Sequence, residues 1–354
     1  RTIDPASLRV RTWLNGAIVQ NDTSDTLLFP LALLVSDLSQ LLTLEPGDVI
    51  LTGTPAGASV AKPGDVVEVE VDVPGGASSG RLVTPVIEGT ESLPSFSAQP
   101  RADDEQRTEA YGSREAAGLP APFTLDAALR AKLLSVPVAG LSAQLRKRGL
   151  NAVTIDGVHA NRPGTKLVGL AKTLRFVPAR EDLFASHGGG YNAQKRTFDT
   201  VKPGEVIVIE ARGELGSGTL GDVLALRALT RGAAGIVTDG GVRDYDTVAG
   251  IDIPVFSGGP HPAVLGRRHV PWDADITIGC GGTTVQPGDV IVGDGDGVIV
   301  IPPGLAEEIA DAALAQEDED AFVAEQVRAG HAVDGLFPMN DEWKARYLAW
   351  RAAQ

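Results

Sequence analysis

The chain has 354 residues, 43% apolar and 22% charged, an ordinary globular composition long enough for two domains with cores of their own. Its formal charge of −15 argues against nucleic acid or an anionic membrane as the main partner, because both demand a basic face. No apolar run is long enough to span a bilayer, Arg1-Thr2-Ile3-Asp4 lacks the layout of a signal peptide, and a single cysteine fits a reducing cytoplasm, the expected location.

The first 92 residues predict mainly β-strands around one helical segment near 31–42. Pro46-Gly47-Asp48-Val49-Ile50 opens a turn-plus-strand unit that returns at Pro63, Pro203 and Pro287. Pro-Gly favours a tight turn and the β-branched run behind it a strand. No fixed period links the four copies, so they read as common β-turns. Residues 93–122 begin polar, proline-bearing and aperiodic, and read as a linker.

From residue 123 the pattern changes. Two short helical stretches, 125–134 and 141–149, come first, and strands then alternate with helices. A strand over 205–210, a helix over 222–230 stopped by Gly232, and a strand over 235–238 make one βαβ unit. Gly293-Asp294-Gly295-Asp296-Gly297 predicts a hairpin between two Val/Ile strands; it lacks the glutamate of a calcium loop. Residues 304–330 are helical in character. Trp343, Tyr347 and Trp350 then form a stripe that predicts a packing face. Met339 is the single methionine, so no initiator methionine is present, and a processed product or a piece of a longer one is expected.

Most other polar groups predict little chemistry. His159, His187, His261, His269 and His331 have no zinc-site spacing. Cys280 stands alone, which excludes an internal disulfide, and no base is evident near it, so it reads as a small buried residue. The loop over 186–190 reads as a flexible insertion rather than a lid. Gly216, Gly218 and Gly221 match G-x-G-x-x-G, with Asp239 eighteen residues further on. In a dinucleotide fold, however, the first glycine follows the strand directly, and here Ala211 to Leu215 intervene. A smaller anion fits better. The helix start at Asp222 offers free N–H groups and a positive dipole end. Gly240-Gly241 predict a sharp turn that brings Arg243 and Asp244 beside it. Arginine suits a carboxylate, and aspartate suits a hard ion.

These residues carry a family resemblance. Gly221-Asp222-Val223-Leu224 followed by Asp239-Gly240-Gly241-Val242-Arg243-Asp244 resembles the RraA-like family. That family includes 4-hydroxy-4-methyl-2-oxoglutarate aldolases, oxaloacetate decarboxylases and a non-catalytic regulator of ribonuclease activity. The resemblance implies an α/β fold with an RraA-like swivelling β/β/α domain over 123–354. It implies Mg²⁺ or Mn²⁺ on Asp244, with Asp222 holding water on the metal. Arg243 and the backbone of Gly221, Asp222, Val223 and Leu224 would grip the pyruvyl group of a small 2-oxo acid. A third carboxylate could come from a neighbouring subunit, with Glu317-Asp318-Glu319-Asp320 as candidates, and a homotrimer or hexamer is implied. The expected activity is that of a metal-dependent aldolase or decarboxylase passing through a pyruvate enolate.

The N-terminal part carries a second resemblance. Leu8 through Gly16, Leu51-Thr52-Gly53-Thr54-Pro55-Ala56-Gly57 and the Pro63-Gly64-Asp65 turn resemble the C-terminal part of the fumarylacetoacetate hydrolase family. This implies a partial, mainly β fragment over 1–92. The metal ligands of that family lie upstream of the matching portion, and Glu68-x-Glu70 follows the Thr-Gly-Thr-Pro motif instead, so this half is expected to be inactive as it stands. Two other functions follow from the resemblances: a protein-binding ribonuclease regulator, or a 2,4-dioxo acid hydrolase if the upstream part exists.

Overall fold

A computed structural model describes residues 4–91 and 102–352. The chain forms two compact units, Arg1–Pro122 and Phe123–Gln354.

The first unit holds β1 (Arg9–Leu14), β2 (Ala17–Thr23), α1 (Leu31–Leu41), β3 (Val66–Asp72), β4 (Leu82–Pro85) and α2 (Asp104–Tyr111). The strands pair antiparallel in the order β2-β1-β3-β4. Alternation sends Arg9, Arg11 and Trp13 to one face of β1 and Val10 and Thr12 to the other. Across the pair, Arg9 lies opposite Asp72 and Arg11 opposite Glu70. Arg11 reaches Glu70 at 3.2 Å, Arg81 reaches Glu68 at 3.6 Å, and the Arg81 guanidinium lies 3.8 Å over the Trp13 ring. Glu68 and Glu70 are thus engaged in a cross-strand ion-pair lattice. The opposite face lines an open groove of about 760 Å³ with Leu27, Leu28 and Leu31. Among the described residues of this unit, the buried apolar side chains are Trp13 and Ala117, and α1 buries none. The stretch read as linker departs from expectation where it is described. Asp103 caps α2 through a reciprocal capping box with Gln106, which supplies the N-terminal partners a polar segment needs to become helical. Residues 93–101 lie outside the described residues.

The second unit opens with α3 (Ala127–Ser135), α4 (Val138–Lys147), β5 (Thr154–Ile155), β6 (His159–Ala160) and β7 (Leu167–Pro178). Next come α5 (Glu181–Leu183), which runs into a π-helical turn over Phe184–Gly188, α6 (Ala193–Thr200), β8 (Glu205–Glu210), β9 (Gly218–Leu220), α7 (Asp222–Thr230), β10 (Gly235–Val242) and α8 (Tyr245–Gly250). The chain ends with β11 (Val255–Pro260), β12 (His269–Ala274), β13 (Ile278–Cys280), β14 (Thr283–Val285), β15 (Val290–Asp294), β16 (Gly297–Ile301), α9 (Ala306–Arg328) and α10 (Asp341–Ala352). One ten-stranded sheet runs β5-β16-β15-β7-β8-β10-β11-β6, with β12 on β7 and β9 on β10. β8 and β10 are parallel, as the βαβ reading requires.

β8 shows why this sheet is central. Ile207 and Ile209 join the cluster under α6, α7 and α8, with Phe176 and Phe198, while Val206 and Val208 join Val237, Phe256 and Val298 on the other face. A strand covered on both faces reads as an unbroken apolar run. A further cluster packs α3, α4 and α9 on β15 and β16 through Leu141, Ile299 and Ile309. The aromatic stripe packs as expected: Tyr347, Trp343 and Trp350 surround Phe322 of α9. Part of the loop read over 186–190 lies in the π-helical turn. His187 stacks on Trp272 with ring centroids 4.7 Å apart.

His269, at the start of β12, is fully buried beside Phe176. Burial, reinforced by Arg212 and opposed by Glu214, lowers its pKa from 6.5 to about 4. The unfolded chain therefore binds an extra proton between those values. The contribution of the neutral ring is complete above pH 6.5 and is lost as pH falls to about 4. The denaturation midpoint is expected to climb with pH through this window, and to climb less in His269→Phe. Equal slopes in urea titrations of the two proteins would count against this.

Candidate active site

The site is built where β9 lies alongside the end of β10. Gly218 pairs with Gly241 and Leu220 with Val242, in parallel. The Thr219 hydroxyl bonds the Gly241 carbonyl at 3.0 Å, and the Arg243 N–H donates to the Leu220 carbonyl at 2.9 Å. This stitching brings the start of α7 next to Arg243 and Asp244. The three parts line one cleft of about 190 Å³ with Gln194, Leu220 and Leu265.

The glycines make that approach possible. A Cβ on Gly218 would stand 2.4 Å from Cγ of Arg243, and one on Gly221 would stand 2.9 Å from Oδ2 of Asp244. The G-x-G-x-x-G spacing thus reflects clearance for an arginine and an aspartate. Gly218 opens the strand β9 and Gly221 is the residue before α7, so a strand runs between these glycines, unlike a dinucleotide turn.

Gly240 and Gly241 differ from expectation. They do not turn the chain; both lie inside β10, which runs on to Val242. Close packing is the reason: a Cβ at 240 would meet Ala211 Cβ at 2.6 Å, and one at 241 would meet His261 Cβ at 3.0 Å. The turn comes two residues later, at Asp244, whose φ of 52° and ψ of 40° are left-handed. Aspartate tolerates that region better than most residues. Its backbone carbonyl accepts from Val248 while its carboxylate caps nothing, so the side chain stays free to face Gly221.

Asp239 likewise lies within β10, which runs on past the strand read over 235–238. Its buried carboxylate accepts from the N–H groups of Ala211 at 2.5 Å, Gly213 at 2.9 Å and Gly281 at 3.2 Å. Burial raises its pKa against the pull of those bonds. It ties the loop behind β9 to β10 and takes no place in the cleft. Cys280 is buried, its thiol pushed well up chiefly by desolvation and next by Asp239, which suits an inert residue.

Charge in the cleft is arranged for an anion beside a cation. α7 has no side-chain cap, although Asp222 accepts from the Val223 N–H at 2.8 Å. Nε of Arg243 is buried without a partner, and its Nη2 lies 3.9 Å from Asp244, too far for a strong pair. Asp222 and Asp244 offer carboxylate oxygens alone, the donors a hard ion accepts. Among the described residues no three His, Cys, Asp or Glu side chains gather into a metal cage. Glu317 through Asp320 lie on α9 and do not line the cleft of their own chain. Sequence reasoning missed Gln194 and Leu265. They reach the cleft from α6 and from the segment before β12, distant in sequence and without a local motif.

The same region carries the similarity to known proteins. Residues 138–300 match the family model described as Aldolase/RraA, and residues 2–87 match the model described as fumarylacetoacetate (FAA) hydrolase C-terminal. A Halalkalibacterium halodurans protein named "Putative 4-hydroxy-4-methyl-2-oxoglutarate aldolase" is 36% identical over 143 residues, covering 40% of this chain and 67% of its own. A protein of the same name from Ectopseudomonas mendocina is 33% identical over 146 residues, covering 37% of this chain and 90% of its own. The crystal structure of Streptomyces coelicolor RraAS2, described as an unusual member of the RNase ES inhibitor RraA protein family, is 34% identical. It covers 57% of this chain and 98% of its own, with a TM-score of 0.52. Cleft, fold and similarity coincide in the second unit, through which the chain belongs to the Aldolase/RraA family.

Proposed function

We propose that the chain is a divalent-metal-dependent carbon–carbon lyase that releases pyruvate from a 4-hydroxy-2-oxo acid or from oxaloacetate. The observation that carries this reading is the cleft shared by an uncapped helix start, the Arg243 side chain and two carboxylates. Asp244, with Asp222 behind it, would hold Mg²⁺ or Mn²⁺, ions that keep several waters and need only one or two protein carboxylates. When bound, such an ion supplies Lewis-acid stabilisation of negative charge growing on the 2-oxo oxygen.

The chain's own groups do the rest. The N–H groups at the start of α7, apart from that of Val223, and the Arg243 guanidinium hold the substrate carboxylate and fix its plane. As C3–C4 breaks, its electron pair passes to C3 and the 2-oxo oxygen, giving the enolate of pyruvate. Arg243 meets that charge in a partly enclosed site, where electrostatic stabilisation is strongest. In aldol cleavage the 4-hydroxyl proton leaves as C4 becomes a carbonyl. Asp222 takes it through an intervening water, and a proton then returns to C3. In decarboxylation the C4 fragment leaves as carbon dioxide and the same enolate is protonated.

A lactate-dehydrogenase-coupled assay with oxaloacetate and 4-hydroxy-2-oxoglutarate tests the proposal. Pyruvate is expected with Mg²⁺, at least about tenfold less after chelation, and in full again when the ion is restored. No metal-dependent release would sink it. The 34% identity to RraAS2 favours one competing reading, a regulator that binds a ribonuclease. That reading predicts capture of such an enzyme with no turnover.

A further inference from the structure

Gln194 is a polar group of the cleft that the reaction above leaves without a role. It stands in the first turn of α6, is 5% exposed and lines the cleft. Its Nε2 donates to the Thr219 carbonyl in β9. That bond decides which way the carboxamide faces. The nitrogen is turned to the β9 backbone, and Oε1 is left for the other side. Among the described residues no donor is bonded to Oε1, yet it is not one of the buried atoms without a partner. An oxygen with neither a protein donor nor full burial is open to a partner, and Gln194 lines the cleft.

The other lining groups offer nothing equivalent. Leu220, Val223, Leu224 and Leu265 are apolar, Arg243 only donates, and Asp222 and Asp244 are charged. Gln194 thus presents a neutral acceptor. Such a group orients an O–H without taking its proton and without competing for a cation.

We infer that Gln194 is a substrate-binding residue whose Oε1 accepts a hydrogen bond from the 4-hydroxyl of a 4-hydroxy-2-oxo acid. The inference rests on the lyase reading. Oxaloacetate carries a carboxylate at C4, which only accepts, so Oε1 gains nothing from it. The hydroxyl has one hydrogen, so the bond to Oε1 belongs to the bound substrate and is exchanged for one to the water before Asp222 as O4 gives up its proton. Its loss therefore raises KM and kcat together and leaves kcat/KM nearly unchanged.

The test uses Gln194→Met in the full chain with Mg²⁺. KM for 4-hydroxy-2-oxoglutarate is expected to rise about tenfold, while KM for oxaloacetate stays level or falls. A parallel rise for both substrates would overturn the inference, because Gln194 would then merely hold the Thr219 carbonyl in place. If the variant does not fold, the wild-type protein can still overturn the inference. 2-Oxoglutarate, which lacks the hydroxyl, is expected to inhibit with a Ki about tenfold above the KM of its 4-hydroxy counterpart. Equal values overturn the inference. Pyruvate release by the wild type separates two failures. Its absence removes the lyase reading and this inference together, whereas release with parallel KM shifts removes this inference alone.

Discussion

Asp244→Asn is expected to reduce pyruvate release by about a thousandfold while leaving the protein folded. Asparagine keeps the volume of the side chain and accepts the left-handed backbone found at this position. Alanine would add a conformational cost of about 1 kcal/mol and blur the result. The side chain makes no helix cap and stands half exposed, so its charge does little for the fold. Its place at the mouth of the cleft, facing the bare Cα of Gly221, leaves binding and charge as its work. Chelation should then add nothing to the defect of the variant, because the ion and the carboxylate act as one unit. Retention of more than about a tenth of the activity at unchanged melting temperature would mean that another group carries the ion.

Parts of this site were legible in the sequence and parts were not, and the difference is physical. The βαβ unit could be read because Val206 to Ile209 form an apolar run and Gly232 stops the helix behind it. Gly221 to Leu224 and Arg243-Asp244 could be read because each is a local motif at a chain turn. The role of the double glycine could not. Glycine serves both for turns and for close approach, and only the neighbours Ala211 and His261 decide between them. Asp239 resembled the end of a strand, yet three backbone N–H groups from two distant segments hold it inside one. Gln194 left no trace in sequence because a single buried glutamine has no periodicity. The first unit is the opposite case. Its strands could be read from alternation, but nothing in the pattern announced that its apolar face would line an open groove.

Gly218→Ala is the sharper test of how the site is assembled, and it is expected to lower kcat/KM about a hundredfold. The backbone at Gly218 is not left-handed, so alanine adds no conformational strain. The cost is contact alone. The new methyl would lie 2.4 Å from Cγ and 3.0 Å from Cδ of Arg243, with the Ala263 carbonyl at 3.3 Å on another side. Cγ is close to the backbone, so the arginine cannot escape by bending its tip. Either the whole side chain leaves its position or β9 moves away from β10, at about 1–3 kcal/mol of stability. Gly304→Ala, with nothing within 4 Å, should change neither rate nor stability and serves as the control. A double-mutant cycle separates the two escapes. Oxalate, which has the shape of the pyruvate enolate, can be titrated by calorimetry into Gly218→Ala, Arg243→Ala and the double variant. If alanine acts by displacing the guanidinium, its penalty on oxalate affinity disappears once Arg243 is gone. A penalty of the same size in both backgrounds would place the damage in the β9 backbone, and the glycine would then serve the strand rather than the arginine.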